Sequence, residues 1–131
     1  MRVIDSSALV KYFVREDGWE SVRELILEGV ITLDLAIKEV ANALWRKVRR
    51  GDMSVDVALE IIRDLSESKA VKVVGQDEYI EDAFRVALEH GITVYDSFFI
   101  VLAERLGVEL VTCDGVQGEK AVARGINVVL C

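Results

Sequence analysis

Four carboxylate residues lie where a folded chain could bring them together. Asp5 and Asp114 each directly follow a short apolar segment, and Asp96 precedes a strongly apolar run. Glu39 lies inside a helical pattern and is followed one turn later by the small residue Ala43, which leaves space beside the carboxylate. Side chains of this type can hold a hard cation or act as general acids and bases.

Each acid also has an ordinary structural explanation. Asp5 and Asp96 can cap helix N-termini. Asp114 can form an Asp-Gly turn, and Glu39 can belong to an exposed charged face. The joint pattern favours chemistry, because carboxylates that meet at one end of a sheet repel one another unless a cation neutralises them. Oxygen ligands without His or thiolate favour Mg²⁺ or Mn²⁺ over zinc.

The other residues with metal-binding or catalytic potential are few. His90 is the only histidine, which excludes mechanisms that need two imidazoles and zinc sites built mainly from His and Cys. The two cysteines, Cys113 and Cys131, are too few for a disulfide framework and lack the spacing of a zinc motif. We expect both to be small buried hydrophobic residues.

The elements that must position the acids alternate between short strands and longer helices. Predicted strands cover residues 2–4, 30–33, 71–74, 109–112 and 127–130, and residues 92–94 are ambiguous. Predicted helices cover residues 8–14, 19–28, 35–50, 55–66, 78–89, 97–106 and 119–123. The alternation predicts a single α/β domain over residues 1–131, with a parallel sheet covered on both faces and ligands bound at the carboxyl ends of its strands.

Composition excludes several classes of protein. Hydrophobic residues at 52% and charged residues at 30% predict a globular fold. The longest apolar run, residues 98–103, is far short of the roughly 20 residues of a membrane-spanning helix. No apolar signal segment precedes Asp5, so we expect a cytoplasmic protein. The net charge of −7 excludes a general polyanion binder, so any nucleic-acid activity must depend on local charge.

Taken together, these motifs resemble those of PIN-domain ribonucleases, in particular the VapC toxins of prokaryotic toxin-antitoxin pairs. The resemblance covers essentially the whole chain and rests on the segments Val3-Ile4-Asp5-Ser6-Ser7-Ala8-Leu9, Glu39, Tyr95-Asp96-Ser97 and Leu110-Val111-Thr112-Cys113-Asp114. It implies a PIN-like α/β fold, a central parallel sheet of about five strands flanked by helices on both faces. It further implies an Mg²⁺ or Mn²⁺ site whose ligands are Asp5, Glu39, Asp96 and Asp114, with the hydroxyls of Ser7 and Thr112 beside the first and last acids.

The sequence departs from the family pattern around the last acid. Cys113 and Gly115 flank Asp114 where relatives often carry other residues. Downstream, Gln117 and Gly118 supply no further acid, which leaves a second metal position open.

The resemblance implies hydrolysis of single-stranded RNA. Two divalent ions about 4 Å apart can activate a water and stabilise the leaving oxygen, so we predict an endoribonuclease that leaves a 5′-phosphate and a 3′-hydroxyl. The family also implies a homodimer and an antitoxin protein as partners. Candidate contacts to the RNA backbone are Lys11, Arg46, Arg49 and Arg50, although the three arginines can equally stabilise the negative end of their helix.

Two aromatic residues, Trp45 and Tyr95, could stack on bases, but their apolar helical neighbours predict that both belong to the core. The main alternative function is a catalytically silent binding module whose acids only cap helices. A phosphoryl-transfer or receiver-type protein fits poorly. Ser7 stands where the first type needs a second aspartate, and the middle strand, residues 71–74, leads to Gly75-Gln76 where a receiver needs an acceptor aspartate. Serine hydrolysis fits worse, since there is no G-x-S-x-G motif and only one histidine.

Overall fold

Five short parallel strands form the centre of the structure, a computed structural model that describes residues 1–131. The strands are β1 (Arg2–Ile4), β2 (Val30–Leu33), β3 (Lys72–Val74), β4 (Leu110–Thr112) and β5 (Val128–Leu130). The helices are α1 (Ser6–Phe13), α2 (Trp19–Glu28), α3 (Asp34–Arg49), α4 (Val55–Ser66), α5 (Ile80–His90), α6 (Val94–Leu106) and α7 (Gly115–Ala123). A short 3-10 turn, Asp77–Tyr79, precedes α5. The predicted α/β fold with a five-stranded parallel sheet is confirmed.

The strand order explains where a site can form. The order is β3-β2-β1-β4-β5, and every neighbouring pair is parallel. The chain therefore builds the sheet outward from β1 in one direction through β2 and β3, and in the other direction through β4 and β5. Such a reversal leaves a crevice at the carboxyl ends of the two strands beside it, here β1 and β4.

Helices cover both faces of the sheet. Successive residues of a strand point to opposite faces, and Val3 and Ile4 of β1 are both fully buried. Leu110 and Val111 of β4 show the same pattern. The most apolar helix, α6, buries every residue from Ser97 to Ala103, so this helix lies at the centre of the protein. The core is thus continuous from the sheet into α6.

Three helices begin earlier than the periodicity predicts, because a polar side chain caps each one. Asp5 accepts a hydrogen bond from the first turn of α1, Thr93 from α6 and Asp114 from α7. Thr93, rather than Asp96, caps α6, so Asp96 lies inside the first turn. The ambiguous segment 92–94 is not a strand and leads into this helix.

The expectation for the two cysteines is wrong. Cys113 and Cys131 form a disulfide and are only partly buried. Cys131 extends from β5, and its N–H donates to the carbonyl of Thr112 at 2.8 Å, which brings it beside the end of β4. Parallel pairing of β4 with β5 therefore placed the two thiols together, although 18 positions separate them in the sequence.

The prediction that Trp45 and Tyr95 belong to the core is also wrong. Trp45 is 56% exposed and Tyr95 is 61% exposed. The buried face of α3 is already occupied by Leu35, Ala36, Val40 and Leu44. In α6 burial begins only at Ser97, so Tyr95 in the first turn stays outside.

No single helix is long and apolar enough to cross a membrane. One bent pair of segments, Asp77–His90 with Val94–Leu106, meets the length and composition requirement.

Candidate active site

A small pocket lies at the carboxyl ends of β1 and β4. Its volume is about 150 Å³, and all four acids singled out in the sequence line it. No lysine or arginine is among the lining residues, which are Asp5, Ser6, Ser7, Glu39, Asp96, Phe99, Asp114 and Gln117. The pocket is therefore a concentration of negative charge without a basic counterion.

Asp5 is the most deeply buried of the acids and is 2% exposed. Its Oδ1 accepts hydrogen bonds from Ser7 Oγ at 2.7 Å and from the Ala8 N–H at 3.0 Å, and its Oδ2 accepts one from the Thr112 hydroxyl. Asp5 is thus both a helix cap and a lining residue of the pocket. Capping and a place in the site are not alternatives here.

The hydroxyls of Ser7 and Thr112 connect the ends of the two central strands. Ser7 Oγ accepts from the Cys113 N–H at 2.9 Å while donating to Asp5. Thr112 Oγ1 accepts from the Asp114 N–H at 3.0 Å while donating to Asp5. The structure therefore places both hydroxyls next to Asp5, and each also contacts the loop that carries Asp114.

Glu39 enters the pocket from α3 and is held by a residue that sequence reasoning missed. Ser6 Oγ donates to Glu39 Oε1 at 2.6 Å. Because Ser6 follows Asp5 directly, the end of β1 orients two acids at once. The sequence signal for this contact was the pair of adjacent serines, Ser6 and Ser7. Ser7 bonds to Asp5, which leaves Ser6 free to bond to another acid.

Asp114 and Asp96 enter from α7 and α6. Asp114 Oδ1 accepts from the N–H groups of Val116 at 2.9 Å and Gln117 at 3.1 Å, so it caps α7 as Asp5 caps α1. The main-chain N–H of Asp96 donates to Thr93 Oγ1 at 3.2 Å. Gln117, which in the sequence was notable only because it is not a further acid, is buried and lines the pocket.

Burial and mutual repulsion raise the pKa values of three of these carboxyls. Burial is the largest cause for Asp5, Glu39 and Asp96. The Asp114 carboxylate raises the pKa of Asp5 and Asp96 further. Asp96 and Asp5 likewise raise the pKa of Glu39. Hydrogen bonds from the neighbouring hydroxyls oppose these shifts but do not cancel them.

The acids surround the pocket rather than converging on one point. No three His, Cys, Asp or Glu side chains are placed as ligands of a single ion. The electrostatic couplings instead connect the carboxylates in pairs: Asp5 with Asp114, Asp114 with Asp96, and Glu39 with both Asp5 and Asp96. The arrangement offers hard oxygen donors to a cation from several sides.

The predicted RNA-contact residues do not line the pocket. Arg46 lies on the same face of α3 as Glu39, about 10 Å further along the helix at 1.5 Å per residue. The Arg49 guanidinium stacks 5.3 Å from the Trp45 ring, and Arg50 pairs with Asp52 at 3.5 Å. The Lys11 side chain lies beside Gly18 and does not line the pocket.

Comparison with known proteins decides the family. The family model described as PIN domain matches residues 2–122. The chain belongs to the PIN domain family. Ribonuclease VapC3 of Pyrobaculum aerophilum is 41% identical to it over 121 residues, which cover 90% of this chain and 92% of that protein. Exonuclease VapC9 of the same organism is 34% identical over 112 residues, or 86% of this chain and 79% of that protein.

A solved structure supports the same assignment of this PIN domain. The crystal structure of PAE2754 from Pyrobaculum aerophilum has a TM-score of 0.74 and 30% sequence identity, and the match covers 98% of this chain and 83% of that one. The resemblance drawn from the sequence is therefore confirmed at the level of family and fold.

Proposed function

We propose that this PIN domain is a VapC-type ribonuclease, the toxin of a toxin-antitoxin pair, and that it hydrolyses RNA with the help of Mg²⁺ or Mn²⁺. The observation that carries the proposal is the pocket lined by four carboxylates and no basic side chain. The VapC names of its relatives support the assignment. Burial and mutual repulsion oppose the charge of these carboxylates, an arrangement that is typical of functional sites and favours a nuclease over a silent binding module.

The donor set fits a hard dication. All candidate ligands are carboxylate oxygens, which Mg²⁺ and Mn²⁺ prefer. Mg²⁺ usually keeps several waters and takes only one or two carboxylates, so carboxylates spread around a pocket suit it although no three meet at one point. Asp5, Asp96 and Asp114 would be the main ligands, and Glu39 would hold an ion or one of its waters.

Bound dications supply the Lewis acidity that activates water and stabilises the leaving oxygen. The chain itself fixes the geometry. Ser6 holds Glu39, and Ser7 and Thr112 hold Asp5, so the carboxylates need little reorganisation when RNA binds. In the reaction a water oxygen bonds to phosphorus and the P–O3′ bond breaks, which yields a 5′-phosphate and a 3′-hydroxyl.

We further propose cleavage inside the RNA chain rather than at its ends. The relatives carry both the name ribonuclease and the name exonuclease, so the family alone does not decide this. An exonuclease that recognises a terminal phosphate through arginine or lysine carries those side chains beside its catalytic groups. None of the residues lining this pocket is basic, which supports internal cleavage.

The test uses one circular and one linear single-stranded RNA of the same sequence. With Mn²⁺ we expect both to be cut and to carry 5′-phosphate ends, because a circle is open only to an endonuclease. With excess chelator we expect no cleavage. Cleavage of the linear RNA alone contradicts the endonuclease proposal, and cleavage that persists in chelator contradicts the metal proposal.

The basic end of α3 is proposed to contact the RNA backbone. Arg46 shares a face with Glu39, and Arg49 and Arg50 follow at the end of the helix. Lys11 on α1 is a further proposed contact. Phosphate contacts of this kind position the RNA without reading its sequence. Since the chain carries a net charge of −7, bound cations and these residues together would have to make the approach of RNA favourable.

A homodimer and an antitoxin are the proposed protein partners. For the homodimer, α5 presents an exposed apolar stripe of Ile80, Phe84 and Leu88, bordered by Glu81 and Arg85. Two copies packed with antiparallel α5 helices would bring Glu81 of each copy towards Arg85 of the partner subunit. The stripe would thus be complementary to itself in charge.

Replacing Phe84 with glutamate should dissociate this dimer. A buried, unpaired carboxylate at the centre of the stripe costs more than the contact contributes. Light scattering of the purified protein should give twice the chain mass for the wild type and one chain mass for Phe84→Glu. Leu27→Glu, at an exposed leucine on α2, is the control and should remain dimeric. A dimer that survives Phe84→Glu places the interface elsewhere.

A further inference from the structure

One polar side chain of the pocket has no role in the proposed chemistry. Gln117 lies on α7 and is only 3% exposed. It faces inward with Gly118 and Ala121, which are small residues that allow α7 to pack closely on the sheet. A long amide buried beside carboxylates must find hydrogen-bond partners to offset its loss of water.

The hydrogen bonds of Gln117 contact the segments that carry the acids. Its Nε2 donates to the main-chain carbonyl of Asp96 at 2.6 Å. The main-chain N–H of Gln117 donates to Asp114 Oδ1 at 3.1 Å. Its Oε1 lies 3.4 Å from Thr112 Oγ1, whose hydroxyl donates to Asp5. The Gln117 side chain therefore bonds to the main chain of Asp96, while the main-chain N–H of the same residue bonds to the Asp114 carboxylate, so Gln117 links the segments that carry these two acids.

Gln117 also connects two helices that have no other side-chain hydrogen bond at the end near the pocket. At the far end, Arg124 joins α7 to α6 through Glu104 at 2.8 Å and 2.9 Å. At the near end, the side-chain bond between these helices comes from Gln117 to Asp96. The Asp96 N–H donates to Thr93 Oγ1 and the Asp96 carbonyl accepts from Gln117, so both main-chain polar groups of Asp96 have side-chain partners.

We propose that Gln117 is a positioning residue that holds Asp96 and Asp114 at the separation the cation site needs. The inference rests on the proposed metal-dependent function. The role requires an N–H donor, because the partner on α6 is a carbonyl oxygen. A glutamate of the same shape would turn an acceptor towards that carbonyl and would add a fifth carboxylate to the pocket.

The test compares Gln117→Met, which keeps length without hydrogen bonds, and Gln117→Glu, which keeps shape without the donor. Glu119→Met, on the exposed side of α7, is the matched control. Mn²⁺ affinity is measured by calorimetry on the metal-free protein, and kcat and KM are measured on RNA. Circular dichroism at the assay temperature reports whether each variant is folded.

We expect both Gln117 variants to bind Mn²⁺ about 10-fold more weakly than the wild type, the lower end of the usual effect of groups that orient metal ligands. The kcat at saturating RNA should fall, while KM stays near the wild-type value, because RNA contacts are untouched. Glu119→Met should match the wild type in every measurement. If one Gln117 variant is unfolded, the other carries the test.

Three other results would contradict the positioning role of Gln117 or the proposed function. If the wild type binds Mn²⁺ and Gln117→Met binds it equally well, the positioning role is wrong while the proposed function stands. If Gln117→Glu binds Mn²⁺ more tightly than the wild type, position 117 acts as a ligand and the positioning role is also wrong. If the wild type binds no Mn²⁺, the proposed function fails and the inference fails with it.

Discussion

Asp96→Asn is expected to reduce kcat/KM for RNA cleavage about 1000-fold. The substitution keeps the shape of the side chain and the N–H that Thr93 holds, so α6 should still begin at Val94. What it removes is the charge of one of the proposed metal ligands. Metal ions contribute several kcal/mol to transition-state stabilisation, and a loss of about 4 kcal/mol corresponds to this factor.

The matched control is Asp56→Asn, since Asp56 also lies in the first turn of a helix but does not line the pocket. We expect it to cleave RNA at the wild-type rate. Both variants are compared with the wild type by initial rates in Mn²⁺ and by thermal unfolding. A fully active Asp96→Asn variant would contradict the proposed role of Asp96 as a metal ligand. A variant that is inactive and also unfolded would show a structural role instead.

Cys131→Ser is expected to lower the free energy of unfolding by about 3 kcal/mol, the amount associated with closing a loop of this length. In a chain of this size the corresponding fall in Tm is about 10 °C. The bond closes a loop that contains all of α7 and connects the end of β5 to the residue before Asp114. Its loss removes a constraint on the unfolded chain and on the last strand.

The controls for the disulfide use the two ends of the same bond. Cys113→Ser should cost as much as Cys131→Ser, and the double variant should cost no more than either, because all three remove one bond. Reductant should lower the Tm of the wild type and leave the double variant unchanged. Equal Tm values for wild type and Cys131→Ser would contradict a stabilising disulfide in the protein in solution.

The local pattern of the chain was enough to predict the sheet and most helices. Short apolar segments between helical periodicities predicted all five strands, and α6 was recognisable because it is apolar on all sides. The predicted helix boundaries were less accurate where a capping side chain sets the start of the helix. Thr93 starts α6 three residues before the predicted position, through a hydrogen bond that periodicity does not contain.

The acids themselves could be read from their positions after strands and at a helix start. Parallel strands place their carboxyl ends at one edge, so Asp5 and Asp114 had to approach each other once β1 and β4 were neighbours. The residues that form hydrogen bonds to the acids could not be predicted in the same way. Ser6 reaches Glu39 across 33 positions, and Gln117 reaches the Asp96 carbonyl across 21.

The α/β architecture and the set of carboxylates that could form a site were predictable, because hydrophobic periodicity and residue type are local properties. The disulfide between Cys113 and Cys131, the hydrogen bond from Gln117 to Asp96 and the exposure of Trp45 and Tyr95 were not predictable. These outcomes depend on which segments become neighbours in space and on how much of each helix face other elements already cover. That information exists only after the strands have paired and the helices have packed.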